Sequence, residues 1–212
     1  MPATLIHLVR HGEVYNPQGI LYGRLPGYHL SELGIRMAAA AAGQLAGHPI
    51  TAIYASPLQR AQESAAPWGE KFDREIVTDA RLIEPTNRFE GKKFEFGPAV
   101  LLKPLMWRWV INPWKPSWGE PYRSVIDRMM AAIGDAWEAA DGGEVVMVSH
   151  QMPIVMVQRF VAGDKPFHDP RQRRCHLSSI TTLQKVGDVF VEVGYRDPAA
   201  DLLARSIVTG AV

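Results

Sequence analysis

The sequence Leu5-Ile-His-Leu-Val-Arg-His-Gly12 decides the fold expected for this chain. Its first five residues form an apolar run interrupted only by His7, and the run ends abruptly in Arg-His-Gly. Short apolar runs that lead into loop-forming residues are typical of strands buried inside a sheet. We therefore predict a buried strand over 5–9 that delivers a basic pair, Arg10 and His11, into a loop.

The rest of the chain alternates between further apolar runs and helical patterns. Ser31 is the expected N-cap of a first helix, and Ser56 the expected N-cap of a second helix that has Pro57 in its first position. Alternation of this kind predicts an α/β three-layer sandwich, with a mostly parallel central sheet and an antiparallel edge. The expected strands are 51–55, 76–77, 144–149 and a hairpin of 178–185 with 189–196; further helices are expected at 99–110, 122–140 and 153–161.

Length and composition fit one soluble domain. The chain has 212 residues, of which 47% are hydrophobic, and we expect a single domain over 1–212 with a Trp- and Pro-rich insertion at about 90–122, a helical and loop segment over the site. The net charge of +1 favours neither nucleic acid nor a membrane surface as a partner. Cys175 is the only cysteine, so no intramolecular disulfide can form. No signal peptide or membrane-spanning run is recognisable, and we expect a cytoplasmic protein.

Two predicted strands end in histidine, at Arg10-His11 and at Ser149-His150. A third, over 51–55, leads directly towards Arg60. Functional sites of such sheets lie beyond the carboxyl ends of the strands, so these side chains should converge if the strands are neighbours. Two imidazoles and two guanidiniums suit a doubly charged oxyanion, because the arginine fork matches phosphate oxygens.

Four motifs together resemble the histidine phosphatase superfamily, which includes cofactor-dependent phosphoglycerate mutases. They are Leu8-Val-Arg-His-Gly-Glu13, Ala55-Ser-Pro-Leu-Gln-Arg-Ala61, Leu82-Ile-Glu84 and Val148-Ser-His150, in the order of the family. The resemblance implies that His11 is the nucleophile and becomes a phosphohistidine. It also implies that Arg10, Arg60 and His150 bind the phosphoryl oxygens.

The resemblance further implies that Glu84 is the general acid that protonates the leaving alcohol. Glu90 is the alternative acid, because the segment keeps only Phe-Glu-Gly of the family's later ending. A carboxyl group beside an anionic pocket should have a raised pKa, which suits this role. His150 should act as a donor that the bound phosphate keeps protonated.

Four other residues are candidates for substrate binding. Asn16 and Gln151 stand near the two histidine motifs, although Asn16 lies one residue closer to His11 than in the family pattern and Gln151 replaces a glycine. Trp107 and Trp109 lie in the insertion and would line the pocket with apolar walls, which favours a substrate with an apolar group. The basic run 171–174 could form a solvated surface or a lip that attracts anions, and the solvated surface is the favoured interpretation. No residues have metal-ligand spacing, so we predict no metal, and no cofactor.

The sequence leaves three functions open. The leading one is a metal-independent phosphatase that hydrolyses a small phosphate monoester through His11. A phosphoglycerate mutase is the first alternative, because Trp118-Gly-Glu-Pro121 resembles a mutase motif, and a weakly catalytic phospho-ligand binding module is the second. The insertion and the hairpin edge both offer surfaces that a homodimer could use.

Overall fold

The computed structural model describes residues 1–93 and 119–203. Within them, six strands form one sheet and five α-helices surround it. The strands are β1 (Leu5–Arg10), β2 (Ile50–Ala55), β3 (Ile76–Thr78), β4 (Glu144–Ser149), β5 (Ile180–Val186) and β6 (Val189–Arg196). The helices are α1 (Glu32–Gln44), α2 (Gln59–Phe72), α3 (Tyr122–Ala139), α4 (Gln151–Val161) and α5 (Ala200–Leu203).

The sheet has the strand order β3-β2-β4-β1-β5-β6. The first four strands in this order are parallel, and β5 and β6 add an antiparallel edge. The turn between β5 and β6 has Gly187 at φ +60°, a conformation that glycine adopts without a steric penalty. The predicted α/β fold with a mostly parallel sheet is therefore confirmed.

The core lies in two layers, one on each face of the sheet. On one face, Trp68 of α2 packs with Val9 and Val148 and with small residues of α1. On the other face, Met129 of α3 and Ile154 of α4 pack against Leu8. Side chains alternate between the two faces along each strand, so every central strand has to be apolar on both sides. This explains the nearly continuous apolar runs in β1 and β4.

The start of α1 agrees with the sequence, whereas the start of α2 does not. The Ser31 hydroxyl accepts a hydrogen bond from the Gly34 amide at 3.0 Å, as an N-cap does. The second helix begins at Gln59, with Leu58 as N-cap, so the prediction that Ser56 and Pro57 start it was wrong. The Ser56 hydroxyl contacts the ring of His150 instead, and this tertiary contact takes precedence over capping.

The loop after β1 is packed closely against the first turn of α1. A Cβ atom added to Gly12 would lie 2.4 Å from the Gly34 carbonyl oxygen, and one added to Gly34 would lie 2.0 Å from the Glu13 carbonyl oxygen. Both positions therefore need glycine, because real Cβ contacts are never so short. The backbone that follows His11 is fixed by this contact.

The predicted helix 99–110 and the greater part of the insertion lie outside the described residues. Asn87, which precedes residues 94–118, and Gly119, which follows them, form an isolated antiparallel bridge. The chain segments on the two sides of 94–118 therefore lie side by side. No helix within 1–93 or 119–203 is both long enough and apolar enough to cross a membrane.

Candidate active site

The sheet register places the two strand-end histidines side by side. Arg10 of β1 pairs with Ser149 of β4 in the parallel ladder, and the amide of His11 donates to the Ser149 carbonyl at 3.1 Å. His11 and His150 follow these two positions, and their ring centroids are 5.1 Å apart. The convergence predicted from the sequence is therefore present.

The backbone around His11 selects one tautomer of its imidazole. Nδ1 lies 2.7 Å from the Gly12 carbonyl oxygen, and because a carbonyl can only accept, Nδ1 must be the protonated nitrogen. Burial lowers the pKa of His11 well below its ordinary value, and the positive charges of Arg60 and Arg10 lower it further. His11 is thus a neutral imidazole at pH 7 with its lone pair on Nε2, as a nucleophile requires.

His150 is positioned by Ser56. Its Nε2 lies 2.8 Å from the Ser56 hydroxyl, which can either donate to the ring or accept from it. In the tautomer in which Ser56 donates, Nδ1 carries the ring proton and is a donor. The pKa of His150 is lowered well below its ordinary value, chiefly by burial and then by Arg60, His11 and Arg10. His150 is therefore neutral before a ligand binds, and protonation during catalysis would depend on the charge of the bound phosphate.

Arg10 and Arg60 are both buried, and each uses one guanidinium nitrogen to hold itself in place. Arg10 Nη1 donates to the Cys175 carbonyl at 2.6 Å, and Arg60 Nη2 donates to the Gly23 carbonyl at 2.7 Å. Arg60 also stacks over the ring of Tyr22, with 4.8 Å between the guanidinium carbon and the ring centroid.

Several buried donors of this site have no protein partner. Within the described ranges, Arg10 Nε and Nη2, Arg60 Nε and His150 Nδ1 lack any hydrogen bond. Leaving a buried donor unsatisfied costs about 1–3 kcal/mol, and more for charged groups, so native proteins rarely do so without a purpose. These donors suit an anion with several oxygen atoms, such as a phosphoryl group.

Glu84 lies beside the histidine pair. Its Oε2 is 3.7 Å from Nδ1 of His150, and its side chain is only 14% exposed. The pKa of Glu84 is raised to about 7 by burial, against the opposing influence of Arg60, Arg10, Arg173 and Arg128. The pKa of Glu84 is raised, as the sequence predicted, but the cause is burial of the carboxyl group rather than a nearby anion.

The segment that bears Glu84 is tied down on two sides. The Ser149 hydroxyl, at the end of β4, donates to the Leu82 carbonyl at 2.7 Å, and Arg24 Nε donates to the Glu84 carbonyl at 2.5 Å. Arg24 is itself paired with Glu120 at 3.3 Å, and Glu120 accepts from Arg128 at 2.9 Å. Glu84 is thus held by rigid neighbours, which is the kind of support that catalytic positioning needs.

These pKa shifts predict the pH profile of phosphate ester hydrolysis. A general acid must be protonated, so kcat/KM for alkyl phosphates should fall as the pH rises through about 7, where Glu84 ionises. The rising limb, set by the lowered pKa of His11, should lie well below pH 6.5. Steady-state kinetics from pH 4 to 9 measure both limbs, and Glu84→Gln should lose the falling one; a falling limb that persists in this variant would contradict the assignment.

The remaining residues that the sequence suggested for substrate binding or acid catalysis have different surroundings from one another. The Asn16 amide oxygen and nitrogen both form hydrogen bonds with the backbone of Ile20, so this side chain closes its own loop.

Gln151 begins α4 and lies 3.4 Å from the Cys175 carbonyl that Arg10 also contacts. Glu90 accepts from the Asn87 amide at 3.2 Å and packs against Gly23, whose carbonyl holds Arg60. Trp107 and Trp109 lie outside the described residues, so their part in substrate binding stays a prediction.

Arg173 is the residue near the site for which the favoured interpretation from the sequence, a solvated surface, does not hold. The interpretation of 171–174 as a solvated surface fits Arg171 and Arg174, which are exposed, but it was wrong for Arg173. Arg173 is partly buried, donates to His168 Nε2 at 2.9 Å and lies 3.4 Å from the Gln151 side-chain oxygen. The pKa of Arg173 is lowered, chiefly by burial and against the opposing influence of Glu84. Arg24 and Arg128 pair with Glu120, so among the described residues Arg173 is the third cation of this region, after Arg10 and Arg60, that forms no ion pair with a carboxylate. The sequence contains no signal that separates it from its neighbours.

Comparison with known proteins decides the family. The model of the histidine phosphatase superfamily (branch 1) matches residues 6–198. The chain belongs to this superfamily. An uncharacterised protein of Mycobacterium tuberculosis is 49% identical to this chain, over 93% of this chain and 98% of its own length. A probable phosphoglycerate mutase of Yersinia pestis is 30% identical over 82% of this chain and 83% of its own length.

A solved phosphatase structure resembles this chain over most of its length. The mycobacterial glucosyl-3-phosphoglycerate phosphatase superposes with a TM-score of 0.69 at 26% identity, over 91% of this chain and 96% of that one. Relatives of this chain thus include both phosphatases and phosphoglycerate mutases. The family accounts for the convergence of the two histidines and two arginines described above.

Proposed function

We propose that this histidine phosphatase hydrolyses a small phosphate monoester without a metal, through a phosphohistidine on His11. The observation that supports it best is the His11 tautomer, which puts the lone pair on Nε2 in a pocket where Arg10, Arg60 and His150 have unused donors. A neutral imidazole needs no metal to attack phosphorus, and the arginines stabilise the charge on the transferring group.

The proposed reaction has two steps. In the first, Nε2 of His11 forms a bond to phosphorus, the ester P–O bond breaks, and the Glu84 carboxyl gives its proton to the leaving alkoxide. In the second, the Glu84 carboxylate takes a proton from water as the water oxygen attacks phosphorus and the N–P bond breaks. Inorganic phosphate and the alcohol are the products, and His11 and Glu84 return to their starting states.

Arg173 bears on the choice of substrate. A third cation close to Glu84 favours a substrate that has a carboxylate near its phosphate, because two phosphate-binding arginines already match the phosphoryl charge. Relatives named for glucosyl-3-phosphoglycerate and phosphoglycerate are consistent with this. The expectation of an apolar substrate group, which depends on Trp107 and Trp109, is kept as a separate proposal.

A trapped phosphoenzyme tests the proposal. The protein is incubated with EDTA and a chromogenic aryl phosphate, quenched in alkali and analysed by mass spectrometry of its peptides. We expect EDTA-resistant release of the phenol and a phosphoryl group on the peptide that contains His11. Turnover that requires an added metal, or a phosphoryl group on another residue, would contradict the proposal.

Phosphoglycerate mutase activity is the second candidate. The relative from Yersinia pestis favours it, as does the contact of Glu120 with Arg24 next to the acid segment, since Glu120 belongs to the mutase-like motif. Incubation with 3-phosphoglycerate and a trace of 2,3-bisphosphoglycerate separates the two functions. A phosphatase releases inorganic phosphate, whereas a mutase produces 2-phosphoglycerate, and phosphorus NMR distinguishes these products.

A further inference from the structure

His7, His48 and Glu144 form a cluster at the end of the sheet opposite to the active site. His7 lies in β1, Glu144 begins β4, and His48 lies in the loop between α1 and β2. Five residues of β4 lie between Glu144 and His150, and the six residue steps span about 20 Å of extended chain. The cluster is therefore remote from the phosphate pocket, and nothing in the proposed reaction uses it.

The ligand atoms of the cluster meet at one point. His7 Nε2 and His48 Nδ1 each lie 2.7 Å from the same carboxylate oxygen, Oε2 of Glu144. One atom from each residue lies within 4.8 Å of the other two. The sequence predicts no metal because these residues are far apart along the chain. The pairing of β4 with β1 and with β2 brings them together.

We propose that His7 Nε2, His48 Nδ1 and a Glu144 carboxylate oxygen bind a zinc ion or a similar transition-metal ion. Two histidines and one glutamate are a known ligand set for zinc, and imidazole ligands favour such ions over magnesium or calcium. Three protein ligands leave the fourth tetrahedral position to water. The side chain of His48 is 29% exposed, and it gives the ion a path from solvent.

The required change in geometry is small. Tetrahedral zinc ligands lie about 3.3 Å apart, so each 2.7 Å contact must lengthen by about 0.6 Å. The loop with His48 is already fixed against β4, because the Glu144 amide donates to the Pro49 carbonyl at 2.9 Å. A ligand set on rigid backbone loses little conformational entropy when the ion binds.

The second ring nitrogen of His7 also fits metal binding. His7 Nδ1 lies 3.0 Å from the Thr182 hydroxyl, which can accept a hydrogen bond from Nδ1 when Nε2 is bound to metal. Metal-bound histidines commonly have such a partner on the second nitrogen.

The balance of charge favours a cation. Glu144 is the acidic member of the cluster, and its carboxylate is nearly buried, with 9% of its side chain exposed. Arg196 is the positively charged group whose influence reaches His7, and it opposes the ion. A doubly charged ion bound directly to the carboxylate outweighs this more distant charge.

Zinc titration of the metal-stripped protein tests the proposal. Calorimetry at pH 7 with ZnCl₂ should show one ion bound to the cluster, and the thermal midpoint should rise by about 5–10 °C at a hundredfold excess over Kd. His48→Ala and Glu144→Gln should each weaken binding by at least about tenfold. His29→Ala removes a histidine outside the cluster and should change nothing.

The remaining outcomes are also decisive. Absence of stoichiometric binding to the wild-type protein would overturn the proposal, and so would tight binding retained by both His48→Ala and Glu144→Gln. The His11→Ala variant tests whether zinc binds instead between His11 and His150. We expect its zinc stoichiometry to equal that of the wild type, which excludes that pair as the binding site. Circular dichroism in EDTA verifies that each variant is folded, and the partly exposed His48 makes His48→Ala the safer of the two. The inference does not depend on the proposed phosphatase activity.

Discussion

His11→Ala is expected to lower kcat for every phosphate ester by at least about 10⁴-fold, because the alanine variant cannot form the phosphoenzyme. The remaining donors of Arg10, Arg60 and His150 can still bind phosphate, since none of them depends on the His11 ring for a hydrogen bond. Binding of inorganic phosphate should therefore persist while turnover is lost. Stopped-flow assays of product release and calorimetry with phosphate measure the two properties separately.

The control for this variant is His29→Ala, which removes a histidine whose Nδ1 bonds the Leu30 carbonyl in a loop. It should keep wild-type turnover. If His11→Ala retained more than about one hundredth of the wild-type kcat, a nucleophile other than His11 would be required.

Glu84→Gln is expected to separate substrates according to their leaving group. With alkyl phosphates the variant should lose about 10²–10⁴-fold in kcat, because a poor alkoxide leaving group needs a proton. With p-nitrophenyl phosphate the loss should be no more than about tenfold, since that phenolate leaves without one. Parallel kinetics with the two substrate classes measure the difference, and glutamine keeps the shape of the side chain.

Glu90→Gln is the matched control, because Glu90 is the alternative acid from the sequence. Its carboxylate accepts from the Asn87 amide, and the structure gives it no contact with His150. The ratio of alkyl to aryl turnover should stay unchanged in this variant. If Glu90→Gln lost turnover of alkyl phosphates only, and Glu84→Gln kept the wild-type ratio of alkyl to aryl turnover, Glu90 rather than Glu84 would be the general acid.

The sequence predicts the centre of this protein well, and the reason is physical. Buried parallel strands must be apolar on both faces, so charged groups appear only where a strand ends, as at Arg10-His11 and at His150. Neighbouring parallel strands end at one edge of a sheet, so the motifs by themselves predict that these side chains lie together. Glu84 was found through the family resemblance, and its burial was not predictable.

Contacts between distant segments account for what was missed. Ser56 looks like a helix cap, but its hydroxyl contacts His150, 94 residues further along the chain. Arg173 differs from Arg171 and Arg174 only in what the fold packs around it. The cluster of His7, His48 and Glu144 depends on strand register, because none of the three residues is close to another in the sequence. Local patterns contain no information about such pairs.

The strand order has a consequence for the protein as it is being synthesised. β4 lies between β1 and β2, so the two strands that emerge first from a ribosome have no hydrogen bonds to each other. A nascent chain that ends before Glu144 can make the Arg10-His11 loop and α2, but the gap at the centre of its sheet stays open. Until a central strand has been synthesised, its neighbouring strands expose apolar surface and unpaired edges. Such edges bind chaperones or aggregate. The candidate site is therefore completed late, after the strand that delivers His150 and the segment whose Cys175 carbonyl holds Arg10 have both been added.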